Sequence, residues 1–536
     1  MALIQKRAWW LIIVTICALS SPTYSQSMLH SLGWVDSSTP IEQTFRYPQT
    51  TESVYAFNHH QLIWLQPHDR QLLEDLIEMA TLADISPFFE KRLNILASLR
   101  ELQQYYQYDV VATDTLLALV SYQVLLNENK YTWLYGQGLP KMWASPPIAA
   151  VDALKSAISN QKLTPYLMTL GADSAVYREY QSAIDDLKGA MLDAPPLYNV
   201  SSVVRVGETL PDKEVLFTRL DLAGLVVAES VKEIDWYGQA LKKVVVDFQR
   251  QHGLSADGII GPKTVEWLNY PIEERIRRLA LNAERSRLWP TQRQALVLVN
   301  LPSFDLNYYY KGRVAFSSKV IVGKQSRKTP LLEIKMDSMF LNPTWNVPPK
   351  IMREDIIPKL RYNPGYLSQK GIQVIKGWGN PVVVDHAVIQ WRQVNPKTFP
   401  FRMRQLSGKH NALGVYKFNT PNRRAIYLHD TPSKHLFDKP SRAFSSGCIR
   451  VQHADKFAHS LSKTQGFRKS NISPVGQKAN ARIPLKRRLP VHLIYKTSWV
   501  ESGRIFIRHD IYGYDGVATK SQLVNAELAN REHFIH

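Results

Sequence analysis

Two side chains able to exchange a proton lie 19 residues apart, His429 in "AIYLHDT" and Cys448 in "SSGCIR". A free thiol is mostly protonated at neutral pH. An adjacent imidazole can take its proton, or hold it as thiolate, and so make sulfur a nucleophile. Gly447 adds a second element, because a glycine just before the nucleophile lets the backbone turn sharply. The N–H groups of Gly447 and Cys448 could then converge on a carbonyl oxygen that becomes negative on attack. The chemistry these residues could do together is nucleophilic attack on a carbonyl, with no metal or organic cofactor.

The neighbouring sequence must position them. "AIYLHDT" reads as a short strand with Ile426 and Leu428 on one face and Tyr427 and His429 on the other, ending at Asp430-Thr431. A polar loop from Pro432 to Phe444 could return the chain so that imidazole and sulfur meet. Tyr427 either lines the site or packs, since aromatic residues are common on strands. Strand-rich sequence runs from Ala295 to the mid-340s, after which Pro343, Pro348, Pro349, Pro358 and Pro364 interrupt the pattern. Pro396 and Pro400 lie near its resumption, so residues 342 to about 403 read as an insertion between strands. Trp345, inside that insertion, either covers the cleft as part of a lid or packs in a core.

Two more regions precede the strands. From 41 to 194 the periodicity is helical, with Leu72, Leu73, Leu76, Ile77 and Ala80 on one stripe. Leu116, Val120 and Val124 form another, on a helix that opens at Thr113-Asp114. Residues 200 to 270 form a compact unit ending in "VVVDFQRQHGLSADGIIGPKTVEWL". There Val244, Val245 and Phe248 share a helical face, Gly253 suits a C-cap, Asp257-Gly258 makes a tight turn, and Gly261-Pro262 opens a helix whose Trp267 and Leu268 face inward. Each of these residues has a structural job.

The N-terminus sets the compartment. Lys6 and Arg7 precede an apolar run from Ala8 to Leu19, and Thr23 and Ser25 follow, the pattern of a secretory signal over residues 1–25. The run is shorter than the roughly 20 residues of a membrane span, with an uncleaved anchor as the alternative. Cys17 follows Ile16, where lipid attachment would require a small residue. An exported chain whose one remaining cysteine is Cys448 has no internal disulfide; an intermolecular bridge, an inert buried thiol and a nucleophile remain. The net charge is +20 over 536 residues, 45% of them hydrophobic, and no other long apolar stretch stands out. Export argues against nucleic acid as the partner of this charge. An anionic envelope polymer or membrane surface fits better, the rival being charge scattered over solvated faces. His410, His435, His453 and the His59-His60 pair show no metal-ligand spacing.

The set FQ, HGL, DG, IGPKT and L between 248 and 268 resembles the small helical peptidoglycan-binding domain of cell-wall enzymes, which specifies a fold more securely than a ligand. "HDT" followed by "SSGCIR" resembles the catalytic signature of L,D-transpeptidases, HGT followed by S-H-G-C-[IVL]-R. "LVNLPSFDLNYYYKGR", "VIVGKQSRKTP", "NPTWNVPPKI", "NPGYL" and "GKHNALGVYKF" resemble the large branch of that family. The resemblance implies a multidomain α+β fold: a helical scaffold (41–194), a peptidoglycan-binding domain (200–270), a mainly β catalytic domain (295–500) with an inserted lid (342–403), and a C-terminal extension (501–536).

It also implies a periplasmic, carbapenem-sensitive enzyme of wall biogenesis and cell shape. Cys448 would attack the carbonyl before the terminal D-alanine of a tetrapeptide stem, and a side-chain amine of a second stem would resolve the thioester into a 3→3 cross-link. His429 would be the base, with Gly447, Cys448 and Ser446 N–H groups at the oxyanion. Tyr427, Trp345, Ser445 and Arg450 are candidate substrate contacts, Arg450 otherwise bracing the loop through backbone carbonyls, which is the preferred reading. Partners would be stem peptides as donor and acceptor, and other wall synthases. Asp430 and Ser446 depart from the usual glycine and histidine; at 430 the family commonly uses the backbone carbonyl to orient the base. A thiol hydrolase and a non-catalytic wall-binding protein are the alternatives.

Overall fold

The computed structural model describes residues 45–516 except 136–144, 172–174, 194, 291, 378–380 and 469–471. The signal-like segment 1–25 and the end of the C-terminal extension lie outside the described residues. The chain forms two compact units. One contains the described residues up to Glu74, with Lys91–Tyr122 and Ala144–Leu167; the other contains Asp75–Glu90, Gln123–Trp143 and Met168 onward.

The N-terminal region is helical. Helices Pro48–Phe57, Pro67–Leu82 and Pro87–Glu101 each begin with proline, whose fixed φ and missing N–H suit a first helical position. Leu73, Leu76, Ile77 and Ala80 are buried, as their spacing predicts. One expectation is corrected. Thr113-Asp114 does not open a helix, because a single helix runs from Tyr105 to Asn129. Asp114 is buried in it and serves another helix, accepting Arg46 N–H at 3.0 Å and Tyr47 N–H at 2.7 Å before Pro48 and pairing with Arg92 at 2.6 Å. A buried carboxylate needs such donors. The same helix is an apolar stretch that composition alone did not single out. It is long and apolar enough to cross a membrane, yet it is mostly packed inside the protein.

In the second unit, Gln239–Gln251 and Pro262–Leu268 are helices joined by turns at Gly253 and Gly258, both at positive φ. Gln249 ties this part together: its Oε1 accepts Gly258 N–H at 2.8 Å, and its Nε2 donates to Ile259 O at 2.9 Å. His252 is fully buried between the Phe248 and Trp267 rings. Val244 is only half-buried, whereas Val245 and Phe248 enter the core.

The helix Ile272–Ser286 leads into the sheet and carries Arg285, which is fully buried. Its guanidinium donates to Leu134 O and Tyr514 O, pairs with Asp515 at 2.6 Å, and lies 4.4 Å from the Tyr135 ring centroid. Arg285→Ala takes from the buried Asp515 carboxylate its closest cation and leaves it Arg278 at 3.6 Å, so urea unfolding is expected to show a loss of about 3 kcal/mol. A midpoint unchanged from wild type would refute this.

Fifteen strands follow among the described residues. The main sheet comprises β1 (Ala295–Asn300), β2 (Asp305–Tyr310), β3 (Arg313–Gly323), β4 (Leu332–Leu341), β9 (Tyr416–Asn419), β10 (Leu428–His429), β11 (Ala443–Ser445), β12 (Ile449–Val451) and β13 (Ala481–Ile494), in the order β11-β3-β12-β10-β9-β4-β13-β1-β2. A further pairing of β2 with β3 closes the ring, which leaves few free edges. Between β4 and β9 the chain builds a second, four-stranded sheet from β5 (Trp345–Asn346), β6 (Ile372–Lys376), β7 (Val382–Val384) and β8 (Arg402–Gln405). This insertion has its own core, including Val347, Met352, Ile356, Ile357, Leu360 and Met403. Strands β14 (Ser498–Glu501) and β15 (Arg504–Ile507) form a hairpin.

Candidate active site

Strand parity decides which residues meet. Leu428 pairs with Ile449 across the parallel β10–β12 contact, and both are fully buried inside the ring. The alternate residues Tyr427, His429, Cys448 and Arg450 therefore project from the opposite face. Register extends that row, with Lys417 opposite His429, Phe340 opposite Lys417 and Arg450 opposite His429.

His429 is 5% exposed, and its Nδ1 lies 2.5 Å from the Asp430 carbonyl oxygen. That contact assigns the proton to Nδ1 and leaves the Nε2 lone pair free to accept. The departure at 430 thus keeps the orienting carbonyl in place. The Asp430 carboxylate turns away, accepting Val415 N–H at 3.1 Å and pairing with Lys434. Gly414, at φ +60°, makes room for it, since a Cβ there would lie 2.2 Å from Oδ2. Burial, with the Arg450 charge second, pushes the His429 pKa down to about 3, so the imidazole is neutral at ordinary pH.

The expected meeting of imidazole and sulfur is not made in this structure. Cys448 is partly covered, and its thiol points to Ala425 O at 3.8 Å, with the Tyr427 N–H and hydroxyl beside the sulfur. Burial pushes the thiol pKa up, which Tyr427, Lys417 and Arg450 only partly oppose. The ground state is consequently a neutral thiol near a neutral imidazole.

The nucleophile loop corrects three further expectations. Ser445 is 3% exposed, and its hydroxyl donates to Cys448 O at 2.6 Å while accepting Gly447 N–H at 3.1 Å. Ser445 is therefore a brace beneath the loop and does not face a substrate. The Gly447 N–H is engaged by that brace, so it is not a free oxyanion donor. The Ser446 and Cys448 N–H groups make no hydrogen bond to a described group. Gly447 itself has φ +116°, the turn that its residue type predicts. Arg450 does not brace the loop, since its guanidinium donates to no described carbonyl and its Nε is buried without a partner.

Trp345 packs against the core of the insertion, and its side chain lies beside the Tyr427 hydroxyl. Lys417 was not singled out from the sequence. Its ammonium lies 4.5 Å from the Tyr427 ring centroid, and burial lowers its pKa. The alternation of "GVYKFN" beside "AIYLHDT" is the signal that could have found it. Together the row presents a thiol, a base, two free backbone donors and two cations on one face, a set suited to attack on the carbonyl of a carboxylate-bearing substrate.

Three stretches of the chain match known protein families. Residues 294–475 match the YkuD family model, described as "L,D-transpeptidase catalytic domain". Residues 219–268 match "Putative peptidoglycan binding domain", and 49–184 match "Scaffold domain". A Haemophilus influenzae protein named "Putative L,D-transpeptidase" is 42% identical over 240 residues, 45% of this chain and 48% of that protein, so the match spans about half the length of the relative. Among solved structures, an L,D-transpeptidase (residues 123–326) from Xylanimonas cellulosilytica is 16% identical, covering 55% of this chain and 100% of that one at a TM-score of 0.19. An Ldtfm-avibactam carbamoyl enzyme is 12% identical, covering 39% and 50% at a TM-score of 0.18. Residues 294–475 belong to the L,D-transpeptidase catalytic-domain family, joined in one chain to a peptidoglycan-binding domain and a scaffold domain.

Proposed function

We propose that this protein is a peptidoglycan L,D-transpeptidase that forms 3→3 cross-links between stem peptides through a thioester on Cys448. The observation that carries the reading is the placement of Cys448 at the Gly447 turn, on the same sheet face as a His429 whose Nδ1 is fixed by the Asp430 carbonyl. Sulfur attacks the carbonyl carbon before the terminal D-alanine of a tetrapeptide, and the thiol proton passes to His429 Nε2. The Cys448 and Ser446 N–H groups receive the oxyanion. Collapse breaks the C–N bond, and the departing D-alanine amine takes the proton from His429. A side-chain amine of a second stem then attacks the thioester, His429 accepts its proton, and that proton returns to sulfur as the new amide forms.

Lys417 and Arg450 meet substrate carboxylates, and Tyr427 and Trp345 line the donor channel. The inserted segment 342–403 acts as a lid that keeps water from the thioester. The unit near 200–270 holds wall polymer, and the reaction takes place in the periplasm beside other wall synthases. Incubation with disaccharide-tetrapeptides followed by mass analysis tests the reading: cross-linked dimers are expected. Tripeptides alone would make the protein a hydrolase, and unchanged substrate would make it a binding protein.

A further inference from the structure

The tight turn after β3 runs under the nucleophile loop. A Cβ at Gly323 would lie 2.2 Å from Arg327 O, so only glycine fits the start of this turn. Within it, Lys324 N–H donates to Ser445 O at 3.0 Å, and the Thr329 hydroxyl donates to Gly447 O at 2.9 Å. The turn is held in its own right, as the Tyr512 hydroxyl donates to Gly323 O at 2.7 Å and accepts Thr329 N–H at 3.0 Å.

Arg327 reaches from this turn in two directions. Its Nη1 donates to Ser446 Oγ at 2.8 Å. Its other contacts are with the insertion: Nη2 to Asp355 Oδ1 at 2.9 Å, Nη2 to Glu354 Oε2 at 2.6 Å, and Nη1 to Asp355 Oδ2 at 2.5 Å. The Arg327 side chain is 8% exposed, although its acidic partners are much more open. Glu354 and Asp355 lie on a π-helical turn, Met352–Ile356, whose ends Met352 and Ile356 are buried in the core of the insertion. That widened turn keeps its hydrophobic residues inward while presenting two successive carboxylates to one guanidinium.

We infer that Arg327 is a positioning residue that joins the seat of the inserted subdomain to the orientation of the nucleophile loop. The inference rests on the transpeptidase reading. The bidentate pair with Asp355 fixes the guanidinium plane, and the remaining Nη1 bond then fixes Ser446, whose own N–H and that of Cys448 are the free donors facing the oxyanion. Seating the subdomain over the cleft and aiming these donors are thereby one event. Lysine cannot replace arginine here, because a single ammonium cannot hold two carboxylates and a hydroxyl in a fixed plane. Ser446, where the family motif has histidine, provides a short hydroxyl acceptor for this bond.

The test compares two reactions of the same sulfur. Acylation by a carbapenem passes through an oxyanion, whereas alkylation by iodoacetamide does not. Arg327→Lys is expected to slow acylation by about 10- to 100-fold, part of the effect of losing an oxyanion donor, and to leave alkylation within about twofold. Asp355→Asn, on the accessible side of the contact, should give the same split, and the double variant should be no slower than the slower single. Ser446→Ala isolates the last bond and should reproduce the effect. Acylation at the wild-type rate in all three single variants would overturn the inference alone, as would a parallel fall in both reactions, which would mean that the sulfur itself had moved. No acylation of the wild type would overturn the transpeptidase reading and this inference with it.

Discussion

Cys448→Ala leaves no detectable cross-linking, a loss of about 10⁴-fold or more, while the protein still sediments with purified sacculi. Without sulfur no acyl-enzyme forms, and the oxyanion donors and cations that remain can only bind the stem. His429→Ala is expected to lose about 10²- to 10⁴-fold, the usual range for removing a general base. On the proposed mechanism the neutral imidazole is the base, the one group of the row with a lone pair fixed by its hydrogen bond to the Asp430 carbonyl. Sacculus binding should persist in both variants, because the core of the binding unit is built from Gln249, His252 and Trp267 and shares no residue with the cleft. Muropeptide analysis of the products together with a pull-down reads both outcomes. Cross-linking by Cys448→Ala would sink the mechanism, and loss of sacculus binding would show that the cleft is the main wall contact.

What was legible in the sequence was whatever is decided within a few residues. The turns at Gly253 and Gly258, the helix start at Gly261-Pro262 and the sharp bend at Gly447 follow from local backbone preferences, and each has the predicted conformation. The alternation in "AIYLHDT" likewise puts Leu428 and His429 on opposite faces of the sheet, although both are buried. Contacts distant in sequence were not legible. Asp114 reads as a helix cap because its real partner, the backbone at Arg46, is 68 residues away. Ser446 reads as an unexplained departure because Arg327 lies 119 residues before it. Ser445 and Gly447 were placed at the substrate by motif, whereas the hydroxyl between them turns inward and uses the amide. Lys417 looked like any lysine on an amphipathic strand until register set it opposite His429. Closure of the ring by β2 and β3 carries no composition signal, since each strand has ordinary neighbours on both sides.

Brief incubation with a carbapenem adds a single drug mass, and the adduct is absent from Cys448→Ala. Outside the signal-like segment the chain has no other cysteine, so only one adduct at sulfur is possible. On the proposed mechanism, sulfur opens a strained lactam by the same steps as it opens a stem amide, with the Ser446 and Cys448 N–H groups receiving the oxyanion, and the inserted segment, as the proposed lid, slows hydrolysis of the resulting thioester. The pH profile of this reaction follows from the two shifts. The thiol is pushed up and the imidazole is held near 3 by burial, so the reactive form over most of the range is the neutral pair, with its proton transferred during attack. Acylation should therefore be nearly flat from about pH 5 to 8 and fall only as acid protonates His429, whose charged form has no lone pair to offer. Iodoacetamide, which reacts with thiolate, should behave differently, its rate climbing through pH 9 as the raised thiol ionises. A preformed thiolate–imidazolium pair would instead give alkylation already on a plateau at neutral pH. That result, or an adduct that survives in Cys448→Ala, would overturn the neutral-pair mechanism.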